Sequence, residues 1–119
     1  MSAKSKKKSA KSAKLSAEAL ELVAETFRAL SDGGRLALLQ ELKEGELTVG
    51  ELVEATGMGQ ASVSKHLKTM FEAELLSRRK EGVKVFYSVK DELVFSLCRL
   101  VCGKLDDEQR GRAEIDFSI

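Results

Sequence analysis

The sequence predicts a mainly α-helical domain with one β-hairpin inserted before its last helix. Three observations predict it. Apolar residues recur at spacings of three and four from Leu20 to Phe71, the period falls to two between Leu76 and Val89, and helical spacing returns from Leu93 to Leu105. A chain of 119 residues is one domain of ordinary size. A composition of 43% hydrophobic and 33% charged residues, without proline or tryptophan, excludes collagen-like, Pro-rich and mucin-like chains and favours helix. No apolar run approaches the ~18 residues that cross a bilayer, and the N-terminal lysines have no apolar segment behind them, so no membrane partner is expected. Two cysteines four residues apart form no secreted disulfide framework. A cytoplasmic location is expected.

Each element carries its own signals. Residues 1–14 hold Ser, Ala and Lys with one Met, offer nothing to bury, and are expected to form a disordered lysine-rich tail. Ser16 caps a first helix with Leu20, Val23, Ala24, Phe27 and Leu30 on one stripe. Ser31 and Asp32 interrupt it, Gly33-Gly34 weakens the start of a second helix bearing Leu36, Leu38, Leu39 and Leu42, and Gly45 ends that helix. Thr48, with Glu51 three residues on, is a capping box for a short third helix with Val49, Leu52 and Val53 inward. Thr56 to Gly59 makes a turn. A fourth helix begins near Gln60, its buried stripe formed by Val63, Leu67, Met70 and Phe71. Leu76, Arg78 and Lys80, then Val83, Val85, Tyr87 and Val89, alternate as a hairpin around Glu81-Gly82. Asp91 caps a last helix whose apolar face, Leu93 to Leu105, is wider than a hairpin can cover. The folded domain is expected over residues 15–106, with a polar extension over 107–119.

Charge divides along the chain. Six lysines precede the first acidic residue, Glu18, leaving fourteen basic against nineteen acidic residues in the body, a net charge of −5. Between Gln60 and Lys90 the balance reverses to +4. An acidic body with one basic segment points to a polyanion-binding face, because a solubility-driven surface intersperses its signs. The lysine tail would add affinity for nucleic-acid phosphates by releasing counterions, or simply stay solvated.

Helix, glycine turn, helix and basic hairpin together make a winged helix-turn-helix, in which the second helix of the pair enters the major groove and the wing reaches the backbone. Gln60, Ser62, Ser64 and Lys65 fall in the first turns of that helix, where side chains reach base edges. His66 and Lys68 follow on the same helix, and Arg79, Lys80 and Lys84 stand on the hairpin, so all nine are candidate DNA contacts. His66, the single histidine, is alternatively a packing residue. No paired carboxylates, nucleophile–base pair or phosphate-cradling glycine motif points to an enzyme; Gly57-x-Gly59 is a turn.

At Leu30–Leu36, Leu47–Leu52, Gln60–Leu67 and Gly82–Ser88 the sequence resembles the ArsR/SmtB family of bacterial winged-helix repressors. The family usually has proline where this chain has Gly33 or Gly34. The resemblance implies a homodimer built by the first and last helices, bound to double-stranded operator DNA and released by an inducer. The family's sensor patterns do not transfer. Its zinc site between last helices corresponds to Asp91, Leu93, Lys104 and Asp107, which lack both imidazoles. Its Cys-x-Cys pair corresponds to Val53 and Ala55, and the second helix has no cysteine. What remains is Cys98 and Cys102, at i and i+4 on one helix face with β-carbons ~5–6 Å apart, too far for an in-helix disulfide. Three readings stay open for them: core packing, thiol oxidation or persulfidation, and a soft ion such as As(III) or Cu(I). No cofactor is required. The rival to a sequence-specific repressor is a nonspecific architectural or protein-interaction module without an inducer.

Overall fold

The computed structural model describes residues 14–109 and 115–118. The expected tail lies almost wholly outside the described residues. Helix α1 (Ala17–Leu30) is followed by α2 (Gly33–Glu41), a 3-10 turn (Leu42–Glu44), strand β1 (Leu47–Thr48), α3 (Val49–Thr56), α4 (Gln60–Glu72), β2 (Leu76–Glu81), β3 (Lys84–Val89) and α5 (Leu93–Gln109). The winged helix-turn-helix is present.

Capping residues place the helices where the sequence asks for them. Ser16 accepts the Ala19 N–H at 3.1 Å to start α1, and Asp32 accepts the Arg35 N–H at 3.0 Å to start α2. At α3 the capping box is complete: Thr48 Oγ1 accepts from Glu51 N at 3.1 Å, and Glu51 Oε1 accepts from Thr48 N at 2.9 Å. Gly57, at φ 75°, adopts the left-handed conformation that ends α3 and lets the chain turn into α4. Asp91 accepts the Leu93 N–H at 2.9 Å. Helix α5 runs to Gln109, past the boundary expected after residue 106, with Lys104 and Glu108 paired one turn apart near its end.

The end of α4 is a Schellman motif. Leu75 N–H donates to Met70 O at 3.0 Å and Glu74 N–H to Phe71 O at 3.0 Å, which puts Glu74 at the left-handed position with φ 66°. A side chain there costs steric energy that glycine avoids. Glu74→Gly is expected to raise the thermal midpoint by a few degrees, despite losing the exposed Glu74–Lys90 pair, in a circular-dichroism melt.

The core joins all layers. Leu38, Leu52, Val63, Leu67 and Met70 are fully buried, with Leu39, Leu42, Leu75, Leu76 and Val94 around them. One stripe of α4 therefore forms the centre of the domain, and its opposite face is left to solvent. Of the apolar stripe on α1, Leu20, Val23 and Phe27 are exposed, and only Ala29 of that helix is buried. On α5, Val94 and Phe95 are buried while Leu93, Leu100 and Val101 are exposed. Two apolar stripes are thus uncovered among the described residues.

The sheet has three antiparallel strands in the order β1-β3-β2. The hairpin pairs Leu76 with Val89, Arg78 with Tyr87 and Glu81 with Lys84, around a loop of Gly82 and Val83. Gly82 has φ 63°, the positive value that a two-residue hairpin loop demands at its first position. Val83 belongs to the loop rather than to the strand and is 98% exposed. Strand β1 was not expected from the sequence; it pairs Leu47 with Tyr87 and Thr48 with Phe86, tying the entry to α3 onto the wing.

Candidate nucleic-acid interface

Gln60, Ser62, Ser64, Lys65 and Lys68 are all exposed on α4, opposite the buried Val63, Leu67 and Met70. The helix period produces this division, since residues one or two positions from the buried stripe turn away from it. Gly59 supplies no capping side chain, so the first N–H groups of α4 face outward without a side-chain acceptor. Such a terminus favours an anion. Lys65 and Lys68 have no carboxylate within ion-pair distance among the described residues, and neither do Lys80 and Lys84 on the wing.

Arg79 is different from its neighbours. Its guanidinium pairs bidentately with Glu46, at 3.1 Å from Nε and 2.6 Å from Nη2, and contacts Glu81 at 2.7 Å. It also lies 4.5 Å over the Phe86 ring. Hydrogen bonding to Arg79 holds the Glu46 carboxyl below its usual range, and the two acidic partners raise the guanidinium's own affinity for its proton. Arg79, expected as a DNA contact, is thus already engaged as the brace of the wing. Arg78 sits 4.1 Å over Phe71, at the foot of α4.

His66 departs from the exposed row. Its side chain is only 18% exposed and turns toward the start of α2, with Nδ1 3.3 Å from Arg35 Nη1 and Nε2 3.6 Å from Asp32 Oδ2. The Arg35 backbone N–H lowers the Asp32 carboxyl most, and the charges of His66 and Arg35 lower it further. The signal was in the sequence: Val63, His66, Leu67 and Met70 share one helical stripe. Asp32 and Arg35 were not expected as its partners, because nothing in a 31-residue separation announces the contact.

Cys98 and Cys102 are both half-buried and free. They line an apolar cavity of about 720 Å³ between α1, α2, α5 and the segment 115–118, together with Phe27, Leu36, Phe95 and Phe117. Burial, and then the neighbouring Cys102, push the Cys98 thiol above its ordinary pKa. The described residues contain no group of three or more His, Cys, Asp or Glu side chains placed to hold a metal, so one chain offers a soft ion two ligands. Asp91 and Lys104, at two positions of the family's zinc pattern, serve their own helix, Asp91 by accepting the Leu93 N–H just ahead of it and Lys104 as an ion-pair partner. Among the described residues no helix is long and apolar enough to cross a membrane.

Three comparisons bear on this geometry. Residues 32–78 match the model of the bacterial regulatory protein, arsR family. The chain is 45% identical over 74 residues to a probable mercury resistance operon repressor of Streptomyces lividans, an alignment covering 62% of this chain and 59% of that one. It thus spans less than two thirds of that relative's length. It is 35% identical over 72 residues to the arsenical resistance operon repressor of Bacillus subtilis, covering 60% of this chain and 69% of that one. Among solved structures it is similar to the homodimeric winged helix-turn-helix DNA-binding domain Mb0332 of Mycobacterium bovis, with TM-score 0.70 and 30% identity over 91% of this chain and 99% of that one. The matched region runs from the cap of α2 through the helix-turn-helix into the first wing strand, and on that evidence the chain belongs to the arsR family of bacterial regulatory proteins.

Proposed function

We propose that this chain is a homodimeric, sequence-specific transcriptional repressor that reads operator DNA with α4 and braces itself on the backbone with its wing. The observation that carries the reading is the exposed row Gln60, Ser62, Ser64, Lys65 and Lys68, together with Lys80 and Lys84, which have no ion pair among the described residues. Gln and Lys in the first turns of a helix suit adenine and guanine edges, and the small serines let the helix approach. The uncovered apolar stripes of α1 and α5 support the homodimer, since a second copy covers both at once. Family membership supports the same reading.

For the inducer we propose a thiol-directed agent acting at Cys98 and Cys102, either an oxidant or persulfide or a soft ion such as As(III) or Cu(I). Two thiols lining one apolar cavity support it, with a third ligand drawn from the partner chain or solvent. Because burial keeps the Cys98 thiol protonated, alkylation of Cys98 by iodoacetamide at neutral pH is expected to be slower than that of an exposed cysteine. Mass spectrometry of the time course checks this. The test of the whole reading is a titration against DNA from upstream of the chain's own gene, with excess unrelated duplex, before and after oxidant, persulfide or As(III). Competitor-resistant binding lost on one treatment, and retained in a Cys98→Ser, Cys102→Ser variant, is the expected result. Binding indifferent to every treatment removes the inducer site and leaves the repressor. Binding that competitor DNA abolishes replaces the repressor with a nonspecific architectural module.

A further inference from the structure

We propose that His66 is a positioning residue: its neutral ring, with the proton on Nε2 and a bare Nδ1, locks the recognition helix to the α1–α2 joint, and a second proton loosens that lock. The inference rests on the reading of α4 as the DNA-reading helix.

Arg35 organises the joint. Its Nε donates to Ala29 O at 2.7 Å and its Nη2 to Arg28 O at 3.1 Å, both carbonyls in the last turn of α1. Its backbone N–H meanwhile donates to Asp32, the cap of α2. The remaining arm, Nη1, points at His66 Nδ1 across 3.3 Å. A guanidinium has donors only, so Nδ1 is the acceptor and carries no proton. The proton of the neutral ring therefore stands on Nε2, on the side of Asp32. Gly34 leaves the space for this: a Cβ there would lie 3.0 Å from His66 Nε2 and 3.1 Å from Asp32 Oδ2. One arginine thus ties the end of α1, the start of α2 and the middle of α4.

Asp32 and Arg35 are the charged groups in contact with the ring, and they respond to its protonation in opposite ways. A proton on Nδ1 sets N–H against N–H and cation against cation at Arg35, while it strengthens the attraction to Asp32. The ring is drawn from one partner toward the other, and α4 loses its polar tie to the end of α1 while the apolar packing at Ala29 remains. The same joint faces the cysteine cavity, whose wall includes Ser31, Gly33 and Leu36. A shift of the joint and a shift of α4 are therefore linked through this polar contact in addition to the shared apolar core.

The sign of the effect separates positioning from simple charge. Adding a positive charge beside DNA tightens binding, so weakening on protonation marks the clamp. Since His66 is the single histidine, its imidazole nitrogens are read without assignment ambiguity. In ¹⁵N NMR of the full chain at about pH 8, a single Nε2–H tautomer of the neutral ring is expected; an Nδ1–H tautomer or an even mixture overturns the clamp. Binding of the labelled upstream duplex, with excess competitor, is then followed from about pH 8 to about pH 5. Wild-type affinity is expected to fall roughly tenfold, the scale of one lost hydrogen bond to a charged group. His66→Asn, which keeps an acceptor and does not titrate, is expected to hold the high-pH affinity throughout, and His66→Leu to be weak at every pH. Identical profiles for the wild type and His66→Asn overturn the proposal. If the wild type shows no competitor-resistant binding at any pH, the recognition-helix reading falls, and the tautomer still decides whether the clamp exists.

Discussion

Lys65→Glu is expected to weaken competitor-resistant operator binding by about 100-fold or more while leaving the fold and the dimer intact. Losing one base or phosphate contact costs ~1–3 kcal/mol, a dimer loses it twice, and a carboxylate facing phosphate adds repulsion. The structure makes the comparison clean. Lys65 is exposed, has no ion pair among the described residues, and stands on the face of α4 away from Val63, Leu67 and Met70. Its replacement therefore leaves stability within about ±0.5 kcal/mol, which a urea titration checks alongside the binding measurement. Ser64→Ala is expected to act in the same direction but less strongly. Unchanged affinity in both variants would move the reading surface off α4. The slope of log affinity against log salt should also shrink by about one for each phosphate contact removed.

Leu67→Ala acts from the other side of the same helix. Leu67 is completely buried, one turn from Val63 and Met70, where α4 meets the rest of the core. Truncation there removes transfer energy and leaves a cavity, at a cost of ~2–5 kcal/mol. Against a total stability of ~5–15 kcal/mol for a domain, that is enough to populate the unfolded chain near physiological temperature. The expected result is a large drop in urea midpoint with DNA binding recovered at low temperature. Binding lost at every temperature while the fold persists would mean that Leu67 shapes the interface directly. The two substitutions lie two residues apart, yet one is read by a DNA titration and the other by denaturation.

Much of the fold was legible because its boundaries are written locally. Ser16, Thr48 with Glu51, and Gly57 each bond within four residues of themselves, so their spacing alone places two helix starts and one end, whereas Asp32, read only as a break after the first helix, also caps α2. The exposed row on α4 was legible for the same reason, as the complement of a periodic apolar stripe. What escaped was long-range. The two residues of β1 carry no alternation, and only pairing with Tyr87 and Phe86 makes them a strand. The engagement of Arg79 by Glu46 joins residues 33 apart, so local charge counting leaves that arginine free for DNA. On α1 and α5 the apolar stripes were identified, but a stripe does not say whether its own chain covers it. His66 lay on the buried stripe by period and on the polar face by chemistry, and its geometry with Arg35 reconciles the two.

The pairing of β1 with β3 has a mechanical consequence. Thr48 is at once a member of the sheet and the cap of α3, and Glu46 just before it holds Arg79 of the wing. The wing is therefore tied to the start of α3 twice, by the β1–β3 backbone pairing and by the Glu46–Arg79 ion pair, rather than held by its own hairpin alone. On the proposed reading of α4 and the wing, one base pair added between the stretches they contact displaces one from the other by ~3.4 Å and about a tenth of a turn, and the β1 tie resists the wing following it.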